Sequence, residues 1–207
     1  MENIINVIRQ VLSLLGQIPN MAICQQSSYD RAMELIKKTG GLLLGLVPRG
    51  MPLGTELFEG VAALSISVAY EMVVFRTGQD GRVEVYMTKR TDDDPAYPGE
   101  WHCPGTVRRP WESPADAIER LAQREFGARI ISYKIVGMID DYAEKRGHFY
   151  TPVCIGHLDG EPTSPRGDWF PVDQLPENTV KHHSVGVVPC ALEWRDLPDI
   201  PIMEIRA

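Results

Sequence analysis

The side chains able to do chemistry fall in a few short stretches. In Arg120-Leu-Ala-Gln-Arg-Glu125 a single carboxylate follows two guanidinium groups. Carboxylates three and four apart on one helix face converge on a cation. Glu125 has no acidic neighbour at that spacing: at ~100° per residue Glu119 lies about 120° around the helix from it, and Asp116 nearly opposite. A second acidic stretch, Asp140, Asp141 and Glu144, offers a relocated metal ligand or general base, or simply a solvated acidic turn. His102 and Cys103 could touch a ligand or serve as satisfied strand residues. His148 and the pair His182-His183 are weaker candidates, because adjacent histidines point to different faces and chelate poorly. Cys24, Cys103, Cys154 and Cys190 contain no C-x-x-C pair, which excludes a zinc knuckle and a thioredoxin-type redox motif and leaves scattered reduced thiols.

These residues need elements to position them. Ser113 as N-cap, Pro114 at the first helical position and Asp116 in the first turn start a helix that runs to about Phe126, where Gly127 stops it. Leu64 to Phe75 reads as a strand, and Val83 to Lys89 pairs back through the turn Gly78 to Gly81. A loop spans Thr91 to Pro98. Extended stretches from Ile130 to Ile139 and Phe149 to Leu158 flank a charged loop, Asp140 to Gly147. Trp169 to Pro176 reads as a turn segment, and a last short helix begins near His182 or His183. Strands and helices alternate without a regular βαβ rhythm, so residues 59–207 form an α+β layered domain with a mixed sheet.

Residues 1–58 differ. Ile4, Ile8, Val11, Leu15 and Ile18 make a helical stripe ended by Pro19 and Asn20. A second helix after Ser28 carries Tyr29, Met33, Ile36 and Leu43, and Gly40-Gly41 should interrupt it. Two helices cannot enclose a core. They are expected to pack on the rest of the chain or to join two copies as a homodimer.

At 207 residues, with 43% hydrophobic and 24% charged content, the chain is not wholly disordered. No apolar run is long enough to span a bilayer, and Glu2 and Arg9 spoil a secretory signal, so a cytoplasmic protein without a membrane partner is expected. A net charge of −7 disfavours a general grip on nucleic acid and leaves room for a local basic pocket for a small anion.

From Pro104 the chain resembles the Nudix superfamily. Pro104-Gly105-Thr106 stands where the family has P-G-G, followed in register by Glu112, Arg120, Glu125 and Gly127, with Trp101 ahead and Trp169-Phe-Pro-Val-Asp-Gln-Leu-Pro176 similar to the family's W-F-x-x-D-E-L-P. The resemblance covers roughly residues 62 to 195 and implies a Nudix-like α/β/α sandwich. It also implies hydrolysis of a nucleoside diphosphate-linked small molecule, with magnesium held by box carboxylates. Leu121 and Arg124 replace two of those carboxylates and Glu125 alone remains, so the box is degenerate and the usual magnesium site is broken.

The resemblance assigns Glu112, Arg120 and Gly127 to the box scaffold, the first two as a loop-to-helix tie, and Glu125 to metal and catalysis. Asp141 and Glu144 border the expected cleft as candidate catalytic partners. Gly105, Thr106, His102 and Arg124 are candidate substrate contacts, Thr106 carrying strain if its φ must be positive. Arg124 either clamps phosphate oxygens in place of the metal or pairs with a nearby acid on the surface. Two functions stay open: a divergent hydrolase, or a silent fold that binds a nucleotide-like ligand or a protein partner.

Overall fold

Strands whose successive residues are all apolar must be covered on both faces, and the centre of this fold is built from them. In β1 (Ile66–Val73), the following Val74 and β3 (Val83–Lys89), the residues Val73, Val85 and Met87 enter one core while Tyr70, Met72, Val74 and Tyr86 enter the other. β7 (Gly147–Leu158) divides likewise, with Val153 and Ile155 on one side and Cys154 on the other. α4 (Pro114–Leu121) closes the second core through Ala117, Ile118 and Leu121. α5 (Val188–Trp194) closes the first through Val188 and Ala191. The result is an α/β/α layering.

The computed structural model describes residues 2–16, 26–48 and 52–196. One sheet has the order β5-β1-β7-β6, with β5 at Gly105–Val107 and β6 at Ile130–Glu144. β1 and β7 run parallel; the other two pairings are antiparallel. In the second sheet β3 pairs antiparallel with β2 (Phe75–Thr77), β4 (Trp101–His102) and β8 (Gly167–Pro171). The Tyr86 N–H donates to Val74 O at 3.0 Å, linking β3 to the end of β1.

Several elements depart from the sequence expectation. The charged segment Asp140 to Gly147 is not a loop: β6 continues to Glu144, with Asp140 opposite Tyr150 and Asp141 opposite Phe149, and only Lys145 and Arg146 turn. An edge strand leaves its charged side chains in water, so their polarity does not break it. Trp169 and Phe170 belong to β8, where they lie opposite Tyr86 and Val85. Their aromatic rings pack on that strand, and Trp169 meets Tyr86 edge-on at 5.3 Å. A helix absent from the sequence reading, α3 (Thr55–Ala62), starts after Gly54 at φ 76.

The chain divides into two units, Met1–Leu53 and Gly54–Ala207. In the first, α1 (Glu2–Leu15) and α2 (Gln26–Leu44) pack together. Gly40-Gly41 does not interrupt α2, since each glycine costs only about 1 kcal/mol in a helix this long. The expectations placed on Ile18, Pro19, Asn20 and Cys24 lie outside the described residues, as do the side chains of Ile4, Ile8, Leu15 and Tyr29. No helix among the described residues is long and apolar enough to cross a membrane.

Candidate functional site

The helix after the Pro104 loop begins as its residues dictate. The Ser113 hydroxyl oxygen accepts the Asp116 N–H at 3.1 Å and its own proton goes to Asp116 Oδ2 at 2.7 Å. Past Leu121 the helix widens into a single π-helical turn, Ala122–Phe126, which ends at Gly127 in the left-handed conformation, φ 62. Leu121 is fully buried in the core with Tyr86 and Phe126 and reaches no ligand. The wide turn carries Arg124 and Glu125.

Glu112 and Arg120 fasten the loop to this helix. Arg120 Nε and Nη2 donate to the two Glu112 oxygens at 2.7 and 2.8 Å, Nη2 also donates to Val107 O at 3.1 Å, and Nη1 donates to Thr106 Oγ1. The Arg109 N–H adds a bond to Glu112 Oε2 at 2.9 Å. Burial opposes the Glu112 charge, but Arg120 and the Arg109 N–H outweigh it and hold the carboxyl below its ordinary value. Thr106 is unstrained: it sits in β5 opposite Tyr70, and its hydroxyl is spent on Arg120. Strain falls instead on Trp111, at φ 67 the one non-glycine with positive φ among the described residues. The turn from Arg109 to Glu112 is closed by the Glu112 N–H to Arg109 O at 3.2 Å. With Pro110 second, it places Trp111 where glycine is favoured.

At the π turn Arg124 Nε donates to Glu125 Oε1 at 2.8 Å and Arg124 Nη2 to Gly105 O at 3.0 Å. The other Glu125 oxygen accepts the Thr88 hydroxyl at 3.1 Å. Thr88 has one proton to give, so the His102 Nε2, 3.1 Å from Thr88 Oγ1, must be the protonated ring nitrogen. His102 Nδ1 is then a bare lone pair, buried and without a partner. Burial first, and the Arg90 charge second, push the His102 pKa down to about 3, which keeps the ring neutral.

The sequence reading missed Glu71. It lies on β1 opposite Gly105, and its carboxyl rests where a side chain on that glycine would be. Burial, with Glu125 and Glu144 adding to it and Arg90 and Arg124 opposing, raises its pKa to about 8. Its signal was an acid in the middle of the apolar run Val68-Ala-Tyr-Glu-Met-Val-Val74. His183 is buried beside it, its Nδ1 3.8 Å from Glu71 Oε2 and accepting the Cys103 N–H at 3.2 Å. Burial, then His182 and His102, hold His183 well below its ordinary pKa.

The tip of the β6–β7 hairpin borders this cluster. Asp94 accepts Arg90 at 3.0 Å and Arg146 at 2.6 Å, together with the N–H groups of Ala96 and Tyr97. Burial opposes its charge, but these donors hold its carboxyl well below the ordinary range. Lys145 donates to Ala96 O at 3.0 Å and lies 4.3 Å over the Tyr97 ring. Glu144 accepts the Arg146 N–H and Asp141 the Ala143 N–H at 3.2 Å; Asp141 stands 3.9 Å from His182. His148 faces outward to Asp140 at 2.6 Å. A separate groove of about 970 Å³, lined by Ala115, Ile118, Ala122 and Ile130 to Tyr133, includes none of these groups.

These residues do not fit a divalent cation. Leu121 is in the core, both Glu125 oxygens are committed, and a guanidinium already lies against Glu125 and the Gly105 carbonyl. Among the described residues no group of three His, Cys, Asp or Glu side chains is placed to hold a metal.

A NUDIX domain model matches residues 69–189. No curated protein matches the sequence. Of solved structures, a NUDIX hydrolase from Nitrosomonas europaea aligns with TM-score 0.52 at 16% identity, covering 69% of this chain and 98% of that one. The C-terminal domain of mouse MUTYH, in complex with human PCNA, gives 0.51 at 20%, covering 67% and 95%. A MutT NUDIX hydrolase from Burkholderia pseudomallei gives 0.49 at 24%, covering 63% and 98%. At these identities the likeness to the first two is one of fold.

Proposed function

Since the chain belongs to the Nudix hydrolase family, whose domain spans residues 69–189, we propose that it acts on a nucleoside diphosphate-linked small molecule and grips the diphosphate with Arg124 instead of magnesium. The Arg124 guanidinium, bridging Glu125 Oε1 and Gly105 O, carries this reading. Those two contacts use one edge of the fork. The side chain stays 53% exposed, so the rest can take phosphate oxygens. Glu125, fixed by Thr88, holds the guanidinium in place, and Thr88 is steadied in turn by His102.

Hydrolysis of the diphosphate is the reaction the family offers. Water would add to one phosphorus as the bridging P–O bond breaks, and two phosphate monoesters would leave with the released protons. A second reading, binding without turnover, is favoured by one observation: both Glu125 oxygens already accept protein donors, Thr88 and Arg124.

Calorimetry with ADP-ribose, with chelator and with magnesium, tests the grip. Binding should survive chelator and be lost in Arg124→Glu; binding that needs magnesium, or is indifferent to Arg124→Ala, rejects it. Product detection across a panel of nucleoside diphosphate compounds, with and without magnesium, decides between hydrolysis and binding alone.

A further inference from the structure

We infer that Glu71 is a ligand-recognising residue that meets a phosphate oxygen as a neutral carboxylic acid, donating its proton beside Arg90 and Arg124. This deepens the proposed function and rests on its diphosphate ligand.

Three observations meet at this side chain. First, the Glu71 carboxyl lies against Gly105, the residue whose carbonyl holds Arg124, so it stands beside the proposed phosphate grip. Second, it lacks the partners an ionised carboxylate requires. Its Oε2 is buried without a hydrogen bond, and the His183 Nδ1 at 3.8 Å cannot donate because its lone pair already takes the Cys103 N–H. A buried carboxylate without a donor keeps its proton, and a protonated carboxyl is a hydrogen-bond donor. Third, Arg90 keeps its Nε buried and unpartnered while Nη1 is spent on Asp94. Buried polar groups are nearly always satisfied, so unpaired groups gathered in one place mark a site that accepts something polar.

The charged and titratable surroundings of Glu71 agree. Glu125 and Arg124 face it from the π turn, Arg90 from the end of β3, and Glu144 from the β6–β7 hairpin. His183 faces it from the last helical segment and is neutral. The thiols of Cys103 and Cys154 feel its charge and are themselves held protonated, chiefly by burial. With Glu71 protonated, Arg90 and Arg124 balance Glu125 and Glu144. Ionised Glu71 would add a negative charge facing the phosphate. The side chain keeps 11% exposure, so it is not wholly sealed from a molecule held at the Arg124 grip.

The experiment is calorimetry of the full chain with ADP-ribose and with inorganic pyrophosphate, in chelator, from pH 6 to 9. Wild-type affinity should hold below the pKa of about 8 and fall roughly tenfold for each pH unit above it. Glu71→Gln keeps a donor that cannot ionise, so it should match wild type at pH 6.5 and lose the fall at pH 9. Glu71→Leu, with no donor, should bind weakly throughout. Infrared difference spectra supply a readout independent of affinity: a protonated-carboxyl band present at pH 7, absent in Glu71→Gln, and shifted by ADP-ribose. If Glu71→Gln repeats the wild-type pH profile, or the band does not respond to ligand, this inference fails while the grip by Arg124 stands. If neither ligand binds wild type at any pH, both fail together.

Discussion

At the residue scale, two side chains occupy places their types resist. Trp111 holds φ 67 with 75% of its surface exposed. A left-handed L-residue costs about 1–2 kcal/mol, against roughly 0.5–1 kcal/mol of extra chain entropy for glycine. Trp111→Gly should therefore raise stability by about 0.5–1 kcal/mol, measured as a higher midpoint in urea unfolding; a midpoint lowered by that substitution would show that the indole holds the turn. Glu71 is the opposite case, invisible to strand periodicity because apolar alternation reports burial and says nothing of ionisation. The relation of Arg124 to Glu125 was half legible. The sequence placed the guanidinium beside the surviving carboxylate, but pairing between adjacent residues depends on the π turn, which no spacing rule announces.

At the element scale, the helix from Pro114 was readable from Ser113, Pro114 and Gly127 because capping is a local matter. The hairpin tip was not. Its strands persist through Asp140, Asp141 and Glu144 because they have partners across β7, a non-local fact. The tie between the loop and α4 joins these levels. Glu112 is 9% and Arg120 20% exposed at the side chain, and Arg120 also serves Thr106 and Val107. Truncating one member strands the other. Arg120→Ala should cost about 2–4 kcal/mol in chemical unfolding, and Arg120→Lys, which keeps the charge without the fork, clearly less. ADP-ribose affinity of the folded protein should change far less than stability. Equal losses for alanine and lysine would mean that the fork geometry is irrelevant.

At the scale of the whole molecule, both hydrophobic cores are built from residues between Tyr70 and Leu192, so the Gly54–Ala207 unit carries its own core. Among the described residues the first unit contributes none to either core. Two packed helices bury little, and here Val11 is buried while Leu12, Ile36, Leu43 and Leu44 stand 63%, 51%, 46% and 46% exposed. Apolar surface of this kind on a helix pair is stabilised by a further helix face, and a second copy of the same pair supplies a self-complementary one. We propose that residues 2–46 join two chains as a homodimer. Sedimentation equilibrium of the full chain should give a dimer. The triple substitution Leu12→Glu, Ile36→Lys and Leu43→Lys should give a monomer whose main unfolding transition moves little, because the cores lie elsewhere. A monomeric wild type at micromolar concentration rejects the dimer. A triple variant whose Gly54–Ala207 unit also unfolds would place those faces against that unit instead.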